Sequence, residues 1–443
     1  MIKPFYQLHE LPENTKLTSV YDSHVHWLMT GEKNSYINLK NFGYLSDIKL
    51  TDVAETSFRG EWLFGFGWND EQFKTLNKKE ELDRITTEFP ICFIKRDAHS
   101  CVLNSRALDI FCKSFSFQKD LMNFLETDIN EEFTGVLKET AYYAIYSLIP
   151  DLDKNLIKEY LLKGQKYFLD QGVTHIRDMT CSKAQWECLE ELFLEKKIKI
   201  YSEINFHIDN YQHLVSNILN LAIKAKEKST DNPFVKVLGI KLFYDGSLGS
   251  ETALLSKPYL GGETTGQQLW TNQECKEAIK LVWSHGLQIS IHTLGDQAVT
   301  NIVEICRQLQ REKINGILNL EHVQLIKPET IQNMKGLHVR CHMQPTHWLS
   351  DKFWLKEKLA PELYQQLFSW EALRKAKIPV FFGSDSPIEE VSLAKIIEAL
   401  NDSAKNGIPS LQLKTLDLFS HPTKKNGETL ISKGKVIKAE LIN

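Results

Sequence analysis

A short apolar run rich in Val, Ile and Phe, followed by a longer amphipathic stretch, recurs eight times along this chain. The runs cover residues 18–27, 172–180, 197–206, 235–244, 287–294, 317–325, 337–345 and 378–384. Stretches that read as helix, such as 153–171, 210–228, 272–285 and 297–311, lie between most of them. Strands of this kind are buried on both faces, and the helices between them give parallel connections, so the pattern predicts a parallel (β/α)8 TIM barrel of the α/β class. A doubly wound open sheet has the same alternation. The clustering of polar residues at the strand ends, described below, favours the barrel.

The 443 residues exceed the ~250 that such a barrel needs. About 140 residues separate the first strand from the second; 61–68 and 90–96 read as strands there, and 140–148 as helix. That gap predicts a subdomain inserted after strand 1 at about 32–150, within a barrel domain spanning 21–403. Residues 1–20 form an N-terminal extension, and 404–443 a C-terminal segment whose alternating run 434–441 predicts a strand.

Charge narrows the partners. With 53 basic and 57 acidic residues the net charge is −4, so no basic field large enough for nucleic acid or an anionic membrane is expected. No apolar run approaches ~20 residues and the first residues lack an apolar signal core, which leads to the expectation of a soluble, cytoplasmic protein acting on a small molecule. Eight scattered cysteines, with no CxxC pair, fit a reducing compartment without a disulfide framework. Any metal must then be held by histidines and carboxylates.

Asp22-Ser23-His24-Val25-His26 ends the first run. Residues i and i+2 of a strand share a face, so both imidazoles reach one point inside a barrel. Alone, this HxH is a weak signal, and a half-buried histidine pair is the commoner reading. Three other strand ends add to it: His292 after the fifth, His322 after the sixth and Asp385 after the eighth. TIM-barrel chemistry sits at the C-terminal ends of the strands. Four imidazoles and a carboxylate there make a nitrogen and oxygen set suited to Zn²⁺, with Fe, Mn, Co or Ni as alternatives.

The motifs together resemble the amidohydrolase superfamily and, within it, the YtcJ-like (amidohydrolase 3) group. The matching stretches are YDSHVH at 21–26, GFGWN at 65–69, RDAH at 96–99, NSRAL at 104–108 and KLFYDGSLGS at 241–250. They continue with HTLGDQAV at 292–299, EHVQ at 321–324, QPTH at 344–347 and GSDSP at 383–387, so the likeness runs from about 18 to 390. It implies metal-assisted hydrolysis of a C–N bond (amide, N-acyl or N-formyl). It also implies that His24, His26 and Asp385 hold a buried metal, that His292 and His322 hold a more exposed one, and that Lys241 bridges them as an N6-carboxylated lysine. The carbamate is chemically coherent, because burial and a nearby dication lower an amine pKa and free a neutral amine to capture CO₂. Asp385 is the implied general base and then acid.

His99, Trp68, Asp245, Gln344 and His347 are the candidate substrate-binding residues. Glu321 is expected on the face opposite His322, in a packing role, and Asp296 as a helix N-cap. His175, His207 and His285 read as ordinary histidines. Relatives of this group carry more strands at both ends, so a reduced terminal β-sandwich is expected, with a homodimer possible. Use of the same metal site for isomerisation or decarboxylation is the alternative chemistry. A non-catalytic metal-binding or regulatory protein is the third reading, opposed by the intact ligand set.

Overall fold

The computed structural model describes residues 11, 13–95, 100–408 and 419–442. They divide into two compact units, one of residues up to Trp27 together with Gln165 onward, the other Leu28–Gly164.

The larger unit is the expected barrel. Its eight strands are Tyr21–Val25, His175–Cys181, Tyr201–His207, Val235–Phe243, Gln288–Thr293, Leu318–His322, Val339–Met343 and Val380–Phe382. Each pairs in parallel with its neighbour in that order. A parallel bridge between Val25 and Ser386 brings the eighth strand back to the first. Backbone hydrogen bonds from His26 N to Ser386 O and from Asp385 N to His24 O, both 2.8 Å, secure that seam. The HxH and the Asp385 turn are therefore adjacent because barrel closure puts them there.

The strands are buried almost throughout, and apolar residues such as Ile176, Ile204, Ile240, Ile289, Leu318 and Leu320 recur along them between buried polar ones. The helix Asn272–Ser284 starts on a capping box of Thr271 and Glu274. The helix Asp296–Arg311 turns a buried face built on Ala298, Val299, Ile302, Val303 and Cys306 toward the sheet.

At the start of the strands the barrel is closed by polar side chains. Tyr21 donates its hydroxyl to Glu203 at 2.8 Å, and His421 Nε2 lies 3.1 Å from the other oxygen of that carboxylate. His421 belongs to the segment leading into a three-stranded antiparallel sheet of Thr15–Thr18, Gly427–Ser432 and Lys435–Leu441. This small sheet is the terminal β element.

The unit Leu28–Gly164 is built on a mixed sheet. Its order is Ile37–Asn38, Trp62–Trp68, Ile91–Lys95, Ser100–Leu103, Phe133–Lys138 and Leu125–Thr127, with Phe58–Arg59 also on Trp62–Trp68. Trp62 and Phe64 pack into one apolar cluster and Leu63 into another. The register shifts between Phe66 and Trp68, around Gly67 at φ +101°. That bulge turns Trp68 onto the Leu63 face, where its indole N–H donates to Phe93 O at 2.7 Å. Trp68, expected to wall a substrate pocket, is instead a fully buried core residue of this unit.

No helix among the described residues is long and apolar enough to cross a membrane. The eight cysteines are all free.

Candidate metal centre

The first barrel strand points His24 and His26 toward the C-terminal mouth. One ligand atom from each of His24, His26 and Asp385 falls within 4.8 Å of the others, and all three residues are buried. Asp385 Oδ1 stands 3.0 Å from His26 Nε2 and 3.3 Å from His24 Nε2. The rings then continue as a chain: His24 to His322 at 4.7 Å between centroids, and His322 to His292 at 4.5 Å.

Hydrogen bonds fix which nitrogen of each imidazole is bare. His24 Nδ1 donates to Glu321 Oε2 at 2.7 Å, which turns Nε2 toward Asp385 Oδ1 at 3.3 Å. His322 Nδ1 donates to Gln344 Oε1 at 2.7 Å. His292 Nε2 donates to the carbonyl of Gly246 at 3.1 Å. A carboxylate, an amide oxygen and a carbonyl only accept, so in the neutral form of each ring the other nitrogen keeps its lone pair. His24 Nε2 and His292 Nδ1 are buried with no hydrogen-bond partner among the described residues. Bare nitrogens facing a carboxylate in a buried site are a donor set that a divalent cation satisfies. The residues fit a metal.

Electrostatics separate the rings: burial works to lower His24, but Asp385 and Glu321 outweigh it and raise that imidazole, whereas His292 and His322 are lowered. Burial lowers the His292 imidazole to about 3, aided by the Lys241 charge. Burial likewise holds His322 well below its ordinary value, with His292 and His24 adding to it. Both are neutral near pH 7, the form that ligates metal. Burial works to raise Asp385, yet the His24 imidazole outweighs it and holds the carboxyl well below the usual range.

Lys241 lies on the fourth strand, fully buried, with Nζ unpartnered among the described residues and 3.9 Å from the Phe243 ring centroid. Burial lowers its amine to about 8. A salt bridge from Lys241 to Asp245 is absent among the described residues. Asp245 instead accepts backbone N–H groups from Leu254 at 3.0 Å, Leu294 at 3.1 Å and Gly295 at 2.9 Å. It ties the loop after the fourth strand to the turn after the fifth.

Gln344 is buried and holds His322 in one tautomer, with its own amide N–H donated to His342 O at 3.3 Å. His347 stands at the centre, its Nε2 3.7 Å from Asp385 Oδ2 and its ring stacked on His322 at 6.0 Å. His99 lies outside the described residues.

Strand alternation misplaced Glu321. His322 adopts φ +72° and Val323 φ +45°, left-handed values that break the pleat at the strand end. The break lets successive side chains both serve the centre: Glu321 faces the barrel interior beneath His24, and His322 swings to the mouth. Asp385 is likewise left-handed at φ +61°. Two donors thus sit on uncommon backbone, the kind of strain that concentrates at functional sites.

Glu321 leads to a residue that sequence reasoning passed over. Arg177, inside the second strand, donates Nη2 to Glu321 Oε1 at 2.8 Å and to Ser290 Oγ at 2.6 Å. Its signal was present: a charged Arg-Asp pair within a run otherwise read as buried. Asp178, the other member, accepts from Trp27 N at 3.0 Å and Gln185 Nε2 at 2.6 Å, pinning the chain just past the HxH. Thr180 Oγ1 lies 3.0 Å from His26 Nδ1. Asp296 caps nothing with its side chain; it accepts from Ser256 N at 2.9 Å at the first position of its helix.

Residues 20–407 match the family model described as the amidohydrolase family. The chain belongs to the amidohydrolase family. This amidohydrolase is 24% identical over 390 residues to the Arabidopsis thaliana protein LONG AFTER FAR-RED 3, covering 84% of this chain and 66% of that one. It is 26% identical over 385 residues to YtcJ of Bacillus subtilis (strain 168), named as an amidohydrolase, covering 84% and 70%. The chain therefore spans about two thirds of the length of these relatives. Among solved structures, an uncharacterized metal-dependent hydrolase from Pyrococcus furiosus aligns with a TM-score of 0.67 at 24% identity, over 87% of this chain and 77% of that one. That likeness carries the fold.

Proposed function

We propose that this amidohydrolase is a metal-dependent hydrolase that cleaves the C–N bond of an amide, N-acyl or N-formyl compound. The observation that carries the reading is the buried trio of His24, His26 and Asp385, with the Nδ1 of His24 locked onto Glu321. His24, His26 and Asp385 would hold one ion, most simply Zn²⁺, and His292 and His322 supply the donors for a second. Lys241 suits N6-carboxylation. Its buried amine, lowered to about 8, yields the neutral form that adds to CO₂ and releases a proton.

A divalent ion at such a site supplies Lewis acidity, polarising the carbonyl and making water acidic near neutral pH. The protein's own part is proton transfer and placement. Asp385 is ionised at neutral pH, so it takes the proton of the attacking water and delivers it to the leaving nitrogen. His347, 3.7 Å from Asp385 Oδ2, is placed to hydrogen-bond the developing oxyanion or the leaving group.

The test is a panel of amides, N-acyl and N-formyl compounds offered to metal-depleted and Zn²⁺-reloaded protein. Hydrolysis that depends on reloading and is lost by at least ~10³-fold in Asp385→Asn, with metal still bound, supports the reading. Full turnover in Asp385→Asn contradicts the base assignment, and no turnover of any member by the loaded protein contradicts the hydrolase.

A further inference from the structure

Beside the metal centre lies a cavity of about 440 Å³ whose lining includes Thr180, Ser182, Lys183, His207, His213 and Ser216. Its walls join the centre on two sides. Thr180 Oγ1 stands 3.0 Å from His26 Nδ1. The His207 ring packs on Phe243 at 5.4 Å, and Phe243 packs on His292 at 4.8 Å. The cavity therefore adjoins His26 through Thr180 and is linked to His292 through the rings of His207 and Phe243.

The chemistry of the lining is one-sided. Lys183 is its cation, hydroxyls and imidazoles surround it, and no carboxylate belongs to it among the described residues. The nearby Asp209 is taken up by His213, at 3.0 Å from Nδ1. Ser182 caps the helix Lys183–Leu194 by accepting from Gln185 N at 3.1 Å, so the positive end of that helix dipole adds to the same wall. Ser216 and Ile218 of the lining belong to a π-helical turn, Leu214–Ile218, a conformation common at functional sites.

We propose that this cavity holds the carboxylate of the substrate, so that the compounds cleaved are N-acylated or amide compounds bearing an acidic group, anchored by Lys183. The inference rests on the hydrolase reading for the identity of the scissile bond, and on the cavity alone for the charge.

The test uses matched pairs that differ only in that charge: N-acetylglycine, N-hexanoylglycine and N-benzoylglycine, each against its glycinamide. Equilibrium binding is measured by titration calorimetry with Zn²⁺-loaded protein in the Asp385→Asn background, which leaves the lining intact. The acids are expected to bind about tenfold more tightly than the amides. Lys183→Met should remove most of that preference and Lys183→Arg should keep it, while amide binding changes in neither. Equal or tighter binding of the amides overturns the inference. So does an undiminished preference in Lys183→Met, or the failure of every acid to bind below ~10 mM. Hydrolysis by the wild-type protein separates the two readings. A charge preference in binding with no C–N cleavage removes the hydrolase reading alone; cleavage that is indifferent to the carboxylate removes this inference alone.

Discussion

Glu321 Oε2 stands 2.7 Å from His24 Nδ1, and that single contact decides which nitrogen of His24 is left for the mouth of the barrel. A carboxylate behind a ligand histidine fixes its ring and raises its basicity, and loss of such a partner costs about 10- to 100-fold in metal affinity. Glu321→Gln keeps the shape and removes the charge. Its Zn²⁺ affinity, measured by competition with a chromogenic chelator, should fall by about that factor. An unchanged affinity removes Glu321 from the centre.

Arg177 and Glu321 form a buried ion pair at 2.8 Å, and Arg177 outweighs the effect of burial to hold that carboxylate well below its ordinary range. Breaking such a pair leaves an uncompensated buried charge, at a cost of about 3–5 kcal/mol. Arg177→Met should destabilise by that order in denaturant unfolding. Replacing both, as Arg177→Met with Glu321→Leu, should restore most of the stability while metal affinity stays low, because His24 loses its partner. Recovery of both together would contradict the separate roles.

Gly383 closes the eighth strand against the first. A Cβ there would lie 2.6 Å from His24 N and 3.0 Å from Asp22 Oδ1. Neither is the free end of a flexible side chain: Asp22 Oδ1 already accepts from Ser384 N at 2.9 Å. Gly383→Ala should therefore push the HxH away from Asp385, costing ~1–3 kcal/mol and weakening metal binding. Thermal unfolding with and without Zn²⁺ measures both; a variant as stable and as readily loaded as wild type shows that the seam can yield.

His175, at the far end of the barrel, predicts a pH dependence. Burial lowers its imidazole to about 3, with His421 adding to the effect. The unfolded chain takes up that proton near pH 6.5 and the folded one does not. The stabilisation is thus complete above pH 6.5 and drains away as pH falls toward 3. Between pH 6.5 and 5 this amounts to ~1–2 kcal/mol. His175→Gln should flatten that part of the stability–pH curve, read from urea midpoints. A curve of unchanged slope assigns the acid sensitivity elsewhere.

The barrel was legible because apolar residues recur in eight short runs separated by helix-length stretches, even though strands such as His175–Cys181 and Tyr201–His207 carry polar residues between them. The candidate donors stood out by position: His24, His26, His292 and Asp385 are polar residues standing where those runs stop. Alternation failed at Glu321, since a left-handed residue at His322 is invisible to a period of two. At Trp68 the bulge at Gly67 seats the indole in the core with Leu63, a placement that a strand period of two does not contain. Asp245 and Gln344 were placed in the right neighbourhood without these partners. Sequence locates a polar residue at the mouth, and only the three backbone amides or the imidazole it meets reveal what it holds. Arg177 carried a signal that went unread, a guanidinium within a buried strand, which is costly unless an acid waits for it.

Crystals of the Zn²⁺-loaded protein, measured across the zinc absorption edge, test the central claim most directly. The account predicts an anomalous peak bonded to His24 Nε2, His26 and Asp385, at the ~2.0–2.2 Å usual for Zn–N and Zn–O. Protein that takes up no zinc, or a peak held by residues outside this trio, contradicts it.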